Sequence, residues 1–263
     1  MTDTVREPAV AGTFYPASAG ELGSTVDRLL AAARVPAGGS CPKALIVPHA
    51  GYIYSGAVAA SAFARVAPFA DRITRVVLVG PAHRVFVSGL VSPGVSRLRT
   101  PLGELAVDTE ALQLIGVEAN APAHAHEHSL EVELPFLQRV TPHAKIVPLA
   151  GTRADPELVG RTLETLWGGP ETLIVISSDL SHFHPYAEGR AQDERTCARI
   201  VALDTTIAGE DACGSIGLNG LAWLARKRGD LRIELVDLRS SGDAAGRMDE
   251  VVGYGAFAIY EVA

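Results

Sequence analysis

Four apolar runs constrain this chain more than any other feature: Ala44 to Val47, Arg75 to Val79, Lys145 to Leu149 and Thr172 to Ile176. Each is near-continuous in apolar character instead of alternating, the mark of a strand covered on both faces. Such strands belong to largely parallel sheets sandwiched between helices. The intervening stretches supply the helices. Glu21 to Ala33, Asp155 to Trp167, Glu188 to Ala202 and Gly214 to Lys227 read as helical, the second with Asp155 as N-cap and Pro156 at the first helical position. Arg232 to Arg239 and Tyr254 to Val262 read as two strands joined by the polar loop Ser240 to Asp249, an antiparallel or edge pair. The expected fold is an α/β class, three-layer α/β/α arrangement with a mixed, largely parallel central sheet. No internal repeat occurs and Pro36 to Ser40 is too short to separate independent units, so one domain spanning residues 1–263 is expected.

Composition narrows the function classes. A formal net charge of -7 offers no attraction to phosphate backbones or anionic lipid, so neither nucleic acid nor membrane is an expected partner. Cys41, Cys197 and Cys213 form no C-x-x-C pair, which leaves neither a disulfide framework nor a zinc ribbon and fits a reducing compartment. Met1 to Pro16 carries Asp3 and Glu7 where a signal peptide would have its apolar core, and no run of about 18 apolar residues occurs. A cytoplasmic, soluble protein is expected.

The histidines are placed selectively. His49 follows the first apolar run, His83 the second and His182 the fourth, each just past a C-terminal strand end. That edge of an open α/β sheet is where ligands bind, so the three imidazoles are expected to converge on one crevice. A second cluster, His124-Ala125-His126-Glu127-His128-Ser129-Leu130-Glu131, reads either as metal-binding or as a solvated loop before a helix, with Ser129 as N-cap and Leu130, Leu134 and Leu137 as the apolar stripe. His128, nearest that helix, is the member placed in a pocket. Cys213 precedes the Gly214 helix, where the helix dipole would favour a thiolate for metal ligation or attack; packing as a small buried hydrophobe is its other reading. Cys41 and Cys197 read only as packing.

Seven blocks together carry a resemblance: Ala9 to Pro16, Pro48 to Gly56, Gly80 to His83, Thr100 to Gly103, Glu127 to Glu131, Ser177 to His182 and Ala212 to Gly214. In that order, and across essentially the whole chain, they look like the Memo family, which is similar in fold to the LigB-like class III extradiol dioxygenases. The resemblance implies a metal pocket of two histidines and a cysteine, here His49, His83 and Cys213, with Asp179 and His182 beside it and His182 in the place of the dioxygenases' acid/base histidine. Tyr52 and Tyr54 would line the substrate pocket with His128. One transition metal is implied. A thiolate in place of a carboxylate shifts the preference from oxygen-activating iron(II) toward copper or zinc, so iron and copper are the leading expectations and simple ring cleavage is not expected. The functions implied are a metal-dependent oxidoreductase acting on a small molecule, or a metal- or peptide-binding adaptor without turnover. A metal-free hydrolase with Cys213 as nucleophile, His182 as base and Asp179 as orienter is a third reading. The resemblance also implies a functional link to a radical SAM enzyme.

Overall fold

The computed structural model describes residues 4–36 and 38–262; Met1 to Asp3 of the leader reading and Ala37 of the Pro36 to Ser40 connector lie outside them. Four parallel strands form the middle of the main sheet, in the spatial order Ala44–Val47, Thr172–Ser177, Arg75–Pro81, Lys145–Gly151. These are the four apolar runs of the sequence. Two residues past the first and third of these stand His49 and His83, and the second ends on Ser177 itself.

The alternation of side chains across a strand sends successive residues to opposite faces, and both faces are dry. Leu45, Val47, Val76, Leu78, Leu173 and Val175 meet the helices Ala19–Ala32, Tyr52–Phe63 and Leu134–Val140. Their neighbours Ala44, Ile46, Val77, Val79, Ile174 and Ile176 meet Pro156–Leu166, Tyr186–Val201 and Ser215–Arg228. The result is the expected α/β/α sandwich with a mixed sheet. Asp155 caps the Pro156 helix as its sequence position predicts, accepting from the Glu157 N–H at 2.8 Å.

Two antiparallel strands close one side. Val251–Glu261 pairs with Ala44–Val47, and Leu231–Ser240 pairs with Val251–Glu261 from outside. The loop between them holds a short helix, Ser241–Ala245, closed by a capping box of Ser240 and Asp243. His182–His184 forms a short strand on the start of Val251–Glu261, with a register shift between His182 and His184. A second, three-stranded sheet of Val5–Arg6, Arg97–Thr100 and Gly103–Ala106 packs beside the main one, with Leu98 and Leu105 in the shared core. Among the described residues, no helix is long and apolar enough to cross a membrane.

Candidate metal centre

Three imidazoles meet at the carboxyl edge of the parallel strands. His49, His83 and His128 each present a ligating nitrogen, and these atoms lie within 4.8 Å of one another. The His83 and His128 rings stack at 4.8 Å between centroids, and His49 stands edge-on to both at 5.4 Å. His128, expected as a pocket-lining residue, is therefore a member of the cluster.

One buried carboxylate organises two of the three. Glu127 accepts from the His83 amide at 2.6 Å and faces His83 Nδ1 at 2.9 Å, while its Oε1 also takes the amides of His128 and Ser129, both at 2.9 Å. Burial alone would raise the Glu127 carboxyl, but the bonds from His83 and Ser129 outweigh it and hold the group well below the usual carboxylate range. With Nδ1–H of His83 pointed at a carboxylate, its Nε2 lone pair is left for a ligand. Ser129, expected as an N-cap, donates its hydroxyl instead to the Pro81 carbonyl at 2.7 Å, tying the histidine loop to the end of strand Arg75–Pro81. The turn that follows is the 3-10 segment Glu131–Glu133, so the helix starts later, at Leu134, though Leu130, Leu134 and Leu137 are buried as the stripe predicts. Gly80 permits this closeness, since a Cβ there would lie 2.8 Å from Leu130 Cδ2 and 3.0 Å from Ser129 Oγ.

Cys213 comes from the other side of the sheet's edge. Its Sγ lies 3.3 Å from His49 Nε2, and the next residue makes the approach feasible: a Cβ on Gly214 would fall 2.4 Å from the Ser177 carbonyl oxygen. Burial, then the nearby Asp179, push this thiol well above its ordinary range, so without an ion it stays protonated. Without an ion, desolvation outweighs the helix-start effect that would favour a thiolate. His49 is buried at 1 % exposure, and burial followed by the neighbouring His128 and His83 pushes its imidazole well below the usual histidine range. Burial likewise lowers His128 to about 4. Neutral imidazoles are the ligating form.

His182 is not among the three clustered imidazoles, and Asp179 faces the first of them. The Asp179 carboxylate accepts from the His49 amide at 2.8 Å and lies 4.0 Å from His49 Nε2, so it serves the first histidine loop. Burial pushes it up to about 7 against the pull of that amide. His182 is half-buried, and burial lowers its imidazole. With Cys213 against His49, the thiol also lacks the His182 contact that the hydrolase reading needs.

Tyr52 is buried and donates to the Val132 carbonyl at 2.7 Å, and Tyr15 donates to Glu131 at 2.6 Å, and both line the same cavity as Tyr54. Tyr54, 39 % exposed, lines a cavity of about 640 Å³ together with Phe14, Ile53 and Arg28. Phe14 stands between this cavity and the cluster, its ring 4.8 Å from that of His128, while His49, His83, His128 and Cys213 are not part of the cavity's lining. Tyr186 turns away to Asp243. His124, buried, holds the Val91 carbonyl through Nε2 at 3.0 Å and is structural. Sequence reasoning passed over Glu127, Glu133 and Ser177 as site residues; a carboxylate and a histidine adjacent at 127 and 128 was the one available signal for the first.

The model of Memo-like proteins matches residues 6–258. A MEMO1 family protein of Aquifex aeolicus is 36% identical over 265 residues, covering 95% of this chain and 97% of the relative. One from Archaeoglobus fulgidus is 36% identical over 269 residues, with 95% and 97% covered, and one from Methanosarcina barkeri is 35% identical over 275 residues, with 97% and 100% covered. The chain belongs to the Memo family.

Proposed function

We propose that this protein binds one transition-metal ion and carries out redox chemistry on a small molecule. His49, His83 and His128 would hold the ion, with Cys213 as a fourth donor beside His49. The convergence of three ligating nitrogens within 4.8 Å carries this reading. The donor set fits an ion: His49 and His128 are kept neutral by burial, and the Nδ1 atoms of His49 and His83 are occupied by Ser177 and Glu127, which leaves Nε2 for the metal. A nitrogen and sulfur donor set suits iron or copper, and zinc as well; iron or copper would supply one-electron chemistry there, and zinc Lewis acidity alone.

The chain's own residues have separate tasks in this reading. Glu127 and Ser177 orient the ligands. Phe14 and Tyr54 shape the cavity that would receive the small molecule. His182, neutral near pH 7, accepts a proton, and Asp179 holds one close to His49. Cleavage of simple catechols should be weak, because the thiolate alters the metal's redox behaviour. Phe183, 71 % exposed at a positive φ of 61°, favours a second reading, a metal- or peptide-binding adaptor without turnover.

The test loads the protein, without air, with iron(II), copper(I) or zinc, and follows oxygen uptake and product formation over a panel of small redox-active molecules. Iron or copper should give turnover that His49→Ala abolishes, with the zinc form silent. Equal inertness of all three forms would reject the oxidoreductase reading in favour of the adaptor.

A further inference from the structure

Behind the histidines lies a carboxyl group with no cation to answer it among the described residues. Glu133 is 0 % exposed, its Oε1 lies 3.0 Å from Ser177 Oγ, and its Oε2 is a buried atom without a hydrogen-bond partner. The titratable groups that bear on it are Asp179, from the loop after strand Thr172–Ser177, and Tyr52, from the helix on that face; neither is cationic. An ionised carboxylate in such a place would be uncompensated.

The protons around Ser177 can be counted. Its hydroxyl has three neighbours: the Ser129 carbonyl at 2.7 Å, His49 Nδ1 at 2.7 Å and Glu133 Oε1 at 3.0 Å. A serine hydroxyl brings one proton and two lone pairs, whereas a carbonyl can only accept. The serine proton therefore goes to Ser129, because two acceptors 2.7 Å apart without a hydrogen between them would repel. Both remaining neighbours must then donate to Ser177. His49 does so as Nδ1–H, and Glu133 does so as a protonated carboxyl.

We propose that Glu133 is held as a neutral carboxylic acid and that, through Ser177, it locks His49 in the Nδ1–H tautomer, leaving the Nε2 lone pair directed away from Ser177 and toward Cys213 and the other imidazoles. Glu133 is a positioning residue: it touches neither the ligating nitrogen nor the cavity. Burial, which pushes its carboxyl well above the usual range, agrees with the count. The purpose of the free Nε2 rests on the metal reading above; the proton assignment does not.

Three measurements test this on the intact 263-residue chain. Infrared difference spectra of metal-free wild type against Glu133→Gln at pH 7.5 should show a protonated carboxyl band that only the wild type has. Nitrogen-15 spectra should give His49 as Nδ1–H in the wild type and in Glu133→Gln, whose amide can still donate to Ser177, but not in Ser177→Ala. With zinc as the probe in a chelator competition, Ser177→Ala should bind about 10–100-fold more weakly, the usual effect of losing a group that orients a ligand, and Glu133→Gln should match the wild type. Absence of the carboxyl band, or an Nε2–H tautomer in the wild type, overturns the proposal even if zinc binds normally. Failure to bind zinc with the band and tautomer as described would count against the metal reading and leave the proton assignment standing.

Discussion

Glu127 and His83 are joined twice: the His83 amide donates to one carboxylate oxygen at 2.6 Å and its Nδ1 meets the other at 2.9 Å. The pairing fixes backbone and ring together, so the loop after strand Arg75–Pro81 and the loop carrying His128 move as one body. In Glu127→Gln the amide can accept some of these bonds but loses the charge and points an N–H at a donor. Metal affinity should fall about 10–100-fold, and stability by about 2 kcal/mol, the range for hydrogen bonds to a charged group. Chelator competition and urea unfolding check both; an unchanged affinity would mean that Glu127 only shapes the loop.

Proton release reports whether Cys213 joins the ion. His49 and His128 are neutral at pH 7.5 and have no proton to lose, whereas the Cys213 thiol is protonated because burial raises it. Metal binding requires a deprotonated thiol. Calorimetry in buffers of different ionisation enthalpy should show about one more proton released by the wild type than by Cys213→Ala. Equal release from the two would leave the three histidines as the whole ligand set.

Acid should unfold the metal-free protein in a window set by buried histidines. Burial lowers His124 from 6.5 to about 4, so between those values the unfolded chain binds a proton that the folded chain refuses. Stability is therefore fully present above pH 6.5 and falls as the pH drops toward 4, by roughly 1–3 kcal/mol from this residue. His128 acts in the same direction. Urea midpoints measured from pH 7.5 to 4 should show a shallower slope in His124→Gln than in the wild type, and an equal slope would remove His124 from the account.

Glu131 ties the N-terminal segment to the site. It is 1 % exposed and accepts from Arg6, from the amides of Ala9 at 2.8 Å and Val10 at 3.0 Å, and from the Tyr15 hydroxyl. Glu131→Ala would remove the charge partner of Arg6, whose guanidinium keeps only the His124 and Glu127 carbonyls, and strand three further donors, at a cost of about 3–5 kcal/mol. Urea unfolding and protease cleavage near Ala9 to Pro16 should both reveal it. A loss under about 0.5 kcal/mol, the level of an ordinary surface change, would contradict the clamp.

The fold was legible because burial on both faces leaves a signature in consecutive residues, as in Ala44–Val47 and Thr172–Ser177. Short strands such as Val91–Ser92 and Glu118–Ala119 left none, since two residues carry no period. At the site, His49, His83 and Cys213 could be singled out from their places beside strand ends and a helix start. Glu127, Glu131 and Glu133 could not, because a glutamate reads as solvated until its partners, Arg6, His83 and Ser177, arrive from distant parts of the chain. From sequence His128 reads as a pocket-wall residue, because only the tertiary fold stacks it on His83. Asp179 reads as the orienter of His182, whereas the loop turns its carboxylate to the His49 amide.

The most direct measurement is the metal content of protein purified without air, by elemental analysis, in the wild type and in a variant with His49, His83 and His128 all changed to alanine. The account predicts close to one equivalent of a transition metal per wild-type chain, and next to none in the variant, with the variant's fold verified by circular dichroism. A folded triple variant that keeps its full equivalent of metal would contradict the central claim.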